Sequence, residues 1–229
     1  MRKNILFIGG ALTTENLWVF QKPLFSNDYN CQYLDIADEP SLAKIAERYV
    51  PSISNDISIV AFSMGGYIAL ELYRLVPEKV SKMILINCSA KAICHQGKEE
   101  RRRSIELIKK GRFEFLVKKI FINSFYNHNL YHFIMPLMKE MAFQTGAENY
   151  KNQLTGMINK PDQSDILPTI TCPVYLIAGE NDTVMPNERS RHLCDNIRHS
   201  ELHMINECGH LAMLEKPDEM NSYLTRWLC

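Results

Sequence analysis

The chain has no run of the ~18 apolar residues needed to span a bilayer, so a membrane-embedded protein is not expected. It has no excess of either charge. Lys plus Arg number 26 and Asp plus Glu number 26, giving a formal net charge of zero over 229 residues. A general nucleic-acid binder or membrane-surface binder carries a basic surplus, and neither is expected here. Cysteine is present but lacks the patterns that give it a framework role. The seven residues Cys31, Cys88, Cys94, Cys172, Cys194, Cys208 and Cys229 are odd in number, and no two stand in a CxxC spacing. A disulfide scaffold and a zinc ribbon are therefore not supported, and reduced thiols in a cytoplasmic protein are expected. No metal ligand set and no cofactor motif is read. Two glycines follow the first apolar run, but neither G-x-G-x-x-G nor G-x-x-x-x-G-K-[ST] occurs, so nucleotide binding is not expected. Internal repeats and low-complexity segments are also missing.

What the chain does have is ample apolar residue, at 46%, for one packed domain. Met1-Arg2-Lys3 followed by Ile5-Leu6-Phe7-Ile8 mimics the start of a signal peptide. The stretch breaks at once at Gly9-Gly10 and no cleavage pattern follows, so a buried first strand is the better reading. Five similar runs end in small or polar residues: Gln32–Leu34, Ile57–Phe62, Met83–Ile86, Val174–Ala178 and Leu202–Ile205. Nearly continuous apolar strands fit a parallel sheet covered on both faces. Between them Leu42, Ile45, Ala46 and Tyr49 recur at helical spacing, as do Ala69, Leu70, Leu72, Tyr73 and Val76 before Pro77. A run from Pro217 to Leu228 opens with Pro and acidic residues, a favourable helix entry. The alternation predicts an α/β fold with a mostly parallel, doubly wound sheet of about six strands.

Residues 90–165 interrupt that rhythm with helical segments only. One apolar stripe holds Phe113, Leu116, Val117, Ile120 and Phe121, and another Phe133, Ile134, Leu137, Met138 and Met141. Such stripes are ordinarily core-facing helix surface. Their position between the fourth and fifth strands predicts instead an inserted helical cap. The core would then comprise 1–89 and 166–229. Phe113, Leu116, Phe133 and Leu137 are the cap residues expected to contact substrate.

The stretch Ile59-Val60-Ala61-Phe62-Ser63-Met64-Gly65-Gly66-Tyr67 carries the chemistry. An apolar strand runs into a serine, and small residues lead straight into a helix. Such a turn projects the hydroxyl at the carboxyl edge of the sheet and aims the helix N-terminus at any oxyanion formed there. The pattern is G-x-S-x-G with Ala61 in the first glycine place. A plain serine N-cap would read similarly. A serine nucleophile needs a histidine base oriented by a carboxylate. Of seven histidines, His95, His128, His132, His192 and His199 fall in helices or polar loops, and His203 lies within the last strand. His210 follows that strand directly, after Gly209, at the end of the sheet where α/β sites form. The acid is Asp182 in Gly179-Glu180-Asn181-Asp182, with Glu180 as its rival. Oxyanion donors are expected from the amides of Met64 and, in the loop after the first strand, Ala11.

Taken together these residues resemble the α/β-hydrolase superfamily over nearly the whole chain. The matching pieces are Ile8-Gly9-Gly10-Ala11 with Trp18, Ser63-Met64-Gly65-Gly66-Tyr67, Pro77-Glu78-Lys79-Val80, Gly179-x-x-Asp182-x-x-x-Pro186, and Gly209-His210 with Glu215-x-Pro217. Gly9-Gly10 departs from the His-Gly or Pro-Gly usual before the oxyanion residue. The resemblance is to a compact, bacterial-type member without the leading antiparallel strands of many relatives. Serine at 63 disfavours relatives with an aspartate nucleophile. The resemblance implies carboxylic-ester hydrolysis of a small-molecule substrate, and also admits thioesterases, lactonases, carbon–carbon bond hydrolases and acyltransferases; fewer members only bind ligands. Residues 98–119 carry nine basic residues against four acidic ones. That is either a solvated helix face or a dock for an anionic carrier protein, similar to the esterases acting on a pimeloyl-carrier-protein methyl ester.

Overall fold

The computed structural model describes residues 2–36 and 38–228. In chain order its elements are β1 (Lys3–Ile8), α1 (Lys22–Phe25), β2 (Tyr29–Leu34), α2 (Leu42–Tyr49), β3 (Ile57–Phe62), α3 (Met64–Leu75) and β4 (Val80–Ile86). Three helices follow without a strand: α4 (His95–Lys109), α5 (Phe113–Ile122) and α6 (Tyr131–Asn159). The chain then runs through β5 (Val174–Gly179), α7 (Asn187–Asn196), β6 (Ser200–Ile205), α8 (Ala212–Glu215) and α9 (Pro217–Leu228). The sheet has six strands in the order β2-β1-β3-β4-β5-β6, and every pairing is parallel.

Burial explains the composition of the strands. All six residues of β3 are buried, as are the last four of β1, β4 and β5, because helices cover both faces. The edge strands are less apolar: β2 reads Tyr-Asn-Cys-Gln-Tyr-Leu and β6 Ser-Glu-Leu-His-Met-Ile, each with only its ends or its last residue buried. Strand order reverses between β1 and β3. The chain leaves β1 for β2 on one side and returns to β3 on the other, which opens a crevice at the carboxyl ends of these two strands.

The three helices between β4 and β5 pack on one another. A neck joins them to the sheet: Gln163 N–H donates to Ala90 O (2.8 Å), Ala92 N–H to Asp162 Oδ2 (3.0 Å), and Lys160 Nζ to Lys91 O (2.8 Å). Helix α6 is long and bent. Gly146 inside it has φ 79° and ψ 162°, a conformation open essentially to glycine alone, and Pro136 removes a further backbone donor. The second apolar stripe therefore continues into a helix that turns a corner, which its periodicity does not announce. Among the described residues no helix is long and apolar enough to cross a membrane.

Candidate active site

Ser63 stands between β3 and α3 with φ 51° and ψ −114°, a region that non-glycine residues rarely enter. Holding it there costs on the order of 1–3 kcal/mol, and packing on both sides enforces it. The Ser63 amide donates to Ile86 O of the neighbouring strand (3.0 Å). Behind it α3 lies so close to β1 that a Cβ on Gly65 would stand 2.5 Å from Gly9 O, while one on Gly66 would stand 2.4 Å from Cys88 Sγ. Only glycine admits these approaches. Ala61, in the position where the motif has its first glycine, is fully buried within β3 and keeps regular strand pairing with Ile8 and Leu85.

His210 is brought to the serine from the loop after β6. Its Nε2 lies 3.0 Å from Ser63 Oγ and its Nδ1 lies 2.7 Å from Asp182 Oδ2. With the carboxylate accepting at Nδ1, the ring proton belongs on that nitrogen and Nε2 is left to accept from the serine hydroxyl. Asp182 is itself fixed: its Oδ1 accepts from the amides of Val184 (2.8 Å) and Met185 (2.9 Å), and its side chain has no exposed surface. Glu180, the rival acid, is exposed and makes no hydrogen bond to the imidazole among the described residues. Phe62 packs its ring 4.8 Å from that of His210.

The two amides expected to stabilise an oxyanion are both open. Met64 is the first residue of α3, so its N–H has no intrahelical acceptor, and the Ala11 N–H has none among the described residues. The loop holding Ala11 is shaped by Leu12, at φ 60°, whose amide donates to Gln153 Oε1 of α6 (3.0 Å), and by Thr13 Oγ1, which donates to Gly10 O (2.9 Å).

Above the serine lies a cavity of about 230 Å³. Ser63, His210, Phe62 and Ala11 form its floor, and Met138, Tyr150, Leu154 and Met157 of α6 part of its walls. Ile120 and Phe121 of α5 and Glu100, Arg101 and Ser104 of α4 complete them. None of the four cap residues expected to meet substrate is in this wall. Phe133 is 81% exposed, pointing away from the core. Phe113 stacks edge-on against Phe143, with ring centroids 6.0 Å apart, Leu116 is buried in the core, and Leu137 is partly buried against it. The stripes do contain lining residues, Ile120, Phe121 and Met138. Which positions on a face meet the cavity depends on how the helices dock, and periodicity carries no record of that.

Two further side chains support the site without touching Ser63. Asn87, at φ 50° after β4, donates through Nδ2 to His210 O (2.7 Å) and accepts through Oδ1 from Gly179 N–H (3.0 Å). It ties the histidine loop to the end of β5. Glu215 is buried in α8. Its carboxylate accepts from Gly209 N–H (3.0 Å) on one oxygen and from Tyr126 and Asn127 N–H (2.8 and 3.2 Å) on the other. It thereby joins the histidine turn to the segment after α5, where Ser124 O also accepts the His210 amide (3.0 Å). The Cys88 thiol, buried behind the elbow, is pushed up to about 12 by burial and so is held as an inert thiol.

Residues 26–222 match the family model described as the alpha/beta hydrolase family. The chain belongs to that family. Among curated relatives it is 26% identical over 193 residues to a 2-hydroxy-6-oxononadienedioate/2-hydroxy-6-oxononatrienedioate hydrolase of Pseudomonas putida, covering 81% of this chain and 68% of that protein. It is 25% identical over 191 residues to a pimeloyl-[acyl-carrier protein] methyl ester esterase of Nitrosospira multiformis, covering 80% and 72%. Among solved structures an esterase of Thermogutta terrifontis superposes with a TM-score of 0.86 at 20% identity, covering 99% of this chain and 89% of that one. The enol-lactonase of Burkholderia xenovorans LB400 gives 0.89 at 15% identity, covering 100% and 92%. At these identities the structural matches speak for the fold, an alpha/beta hydrolase sheet flanked by helices.

Proposed function

We propose that this family member is a serine hydrolase of carboxylic esters with a small or medium, largely apolar acyl group. The carrying observation is the hydrogen-bonded series Ser63–His210–Asp182 at the floor of a small cavity, beneath the N-terminus of α3. Ser63 Oγ attacks the ester carbonyl as His210 Nε2 takes its proton, and Asp182 stabilises the imidazolium that forms. The amides of Met64 and Ala11 receive the tetrahedral oxyanion. His210 returns its proton to the departing alcohol, leaving an acyl-serine. It then deprotonates water, which attacks the acyl carbonyl; the acid departs as Ser63 recovers its proton.

Labelling with a fluorophosphonate, then a panel of p-nitrophenyl acyl esters, tests this. Wild type is expected to be labelled at Ser63 and to turn the esters over, and Ser63→Ala to lose on the order of 10⁶ in kcat. Ester turnover that survives in Ser63→Ala removes the mechanism. No labelling of the wild type points to a member that only binds ligands. Labelling without ester turnover moves the substrate to a thioester, a lactone or a carbon–carbon bond.

A second reading, docking of an acyl-carrier protein on residues 98–119, draws on exposed cations such as Arg103, Lys110 and Arg112. Arg102, Lys109 and Lys118, however, pair with Glu99, Glu106 and Glu114 on their own helices, which leaves fewer free charges than the count suggests. Steep salt dependence with a carrier-bound ester, absent with a free ester, is the outcome that favours it.

A further inference from the structure

Arg101 differs from the two arginines that follow it. Arg102 and Arg103 are exposed, whereas Arg101 is half-buried and lies in the wall of the cavity above Ser63. Its Nη1 donates to Gly97 O one turn back (3.0 Å), and its Nε is wholly buried with no hydrogen-bond partner. It forms no ion pair among the described residues. A guanidinium is always charged and carries five donors, so one left in a cavity wall without a carboxylate is an unmet demand. Tyr150 of α6 lines the same cavity. It is buried, and its phenol donates to no described residue.

The surroundings favour an anion. Arg101 acts together with Lys98 and Arg189 on Lys160, whose ammonium is pushed down to about 8 chiefly by burial; Asp162 opposes the shift and the three cations add to it. The Arg101 charge also reaches the Tyr150 phenol, which burial pushes up and the arginine pulls back. Glu100 shares the wall, but it is exposed and its Oε1 accepts from Gln96 Nε2 (3.1 Å). Its charge opposes a second negative charge beside Arg101, so a monoanion fits better than a dianion.

We propose that Arg101, assisted by the Tyr150 hydroxyl, is an anion subsite in the wall of the active-site cavity, and that the ester hydrolysed there carries a free carboxylate at the end remote from the bond that is cut. A planar carboxylate matches the Nη1–Nη2 end of the guanidinium, the wholly buried Nε having no surface to offer a ligand, and the apolar walls supplied by α5 and α6 leave room for a short methylene chain between the two ends. This deepens the serine-hydrolase reading and rests on it for the reacting end of the substrate.

Calorimetric binding separates the two. On a Ser63→Ala background, the monomethyl esters of succinate, glutarate and adipate are titrated beside methyl hexanoate, with Arg101 intact and as Arg101→Gln or Arg101→Lys. For at least one chain length, Arg101→Gln is expected to weaken binding roughly 10- to 100-fold, the worth of a charge-assisted contact. Arg101→Lys keeps part of the affinity, and methyl hexanoate shows no such dependence. Equal binding of all three half-esters with and without the guanidinium overturns the subsite. Wild-type protein is then assayed for methanol release from the same half-esters. Arg101-dependent binding without Ser63-dependent release overturns the hydrolase reading and leaves the subsite standing. Release in which the half-ester to neutral-ester ratio of kcat/KM is indifferent to Arg101→Gln does the reverse.

Discussion

Asp182 engages both carboxylate oxygens, Oδ2 with His210 and Oδ1 with two backbone amides, so the side chain that orients the imidazole is itself held against rotation. Asp182→Asn keeps that shape but offers an amide where a carboxylate accepted the imidazole proton. The ring is then favoured in the tautomer with its proton on Nε2, unable to accept from Ser63. We expect kcat to fall on the order of 10⁴ with little change in thermal stability, read by steady-state kinetics beside a melting curve. A loss no greater than tenfold would assign the orienting role elsewhere. Ser63 and Asp182 were legible as candidates because they follow the buried ends of β3 and β5, and His210 because it lies in the loop after the edge strand β6. The choice of Asp182 over Glu180 was only weakly legible, since both follow β5 and only the backbone turn decides which carboxylate faces inward. Asn87 and Glu215 are held to the histidine loop by bonds that no spacing rule encodes.

Glu215 shows what short elements contribute. Helix α8 is four residues long, yet its last residue accepts three backbone N–H bonds from two other segments. Glu215→Gln replaces one of the two accepting oxygens with an NH2 group that presents N–H to the donors on that side. Leaving buried donors unmet costs about 1–3 kcal/mol each. We expect a lower melting temperature together with a fall in kcat larger than any rise in KM, because the turn bearing His210 loosens while the cavity walls stay in place. Glu215→Asp, which keeps the charge, should recover part of kcat. If kcat is unchanged while stability falls, Glu215 serves the fold alone. At this scale the carboxyl ends of the strands were read to within a residue, while β2 and β4 begin three residues before the apolar runs that announced them. The helices between β4 and β5 were read only as apolar faces: Phe133 and Ile134 are neighbours on the same helix, but one is 81% exposed and the other 6%. The bend at Gly146 has the same origin, a backbone choice made by docking.

Seen whole, the molecule is a six-stranded sheet with three helices between β4 and β5, and Lys160 stands where that stretch returns to the sheet. Its ammonium donates to Lys91 O and Pro161 O and sits 3.8 Å from the centroid of the Tyr67 ring. Held at about 8 against its ordinary 10.5, chiefly by burial, it binds its proton less readily in the folded state than in the unfolded one. The resulting penalty is complete below pH 8 and fades as pH rises toward 10.5. Wild type should therefore gain stability relative to Lys160→Met between pH 8 and 10, seen as a narrowing or reversal of the difference in denaturant midpoint. A difference flat across that window would place the ammonium in a more water-like setting. A parallel sheet of about six strands was legible from alternation and from the resemblance, whereas the bonds between 90–92 and 160–163 were not, because they join residues about seventy positions apart. Long separation has one more consequence. In the proposed mechanism the serine precedes its base by 147 residues. During synthesis on the ribosome, the strained elbow therefore emerges long before anything can deprotonate it. Arrested translation intermediates that stop short of residue 210 should remain silent toward fluorophosphonates, and reactivity should arise in a single step once that histidine clears the exit tunnel.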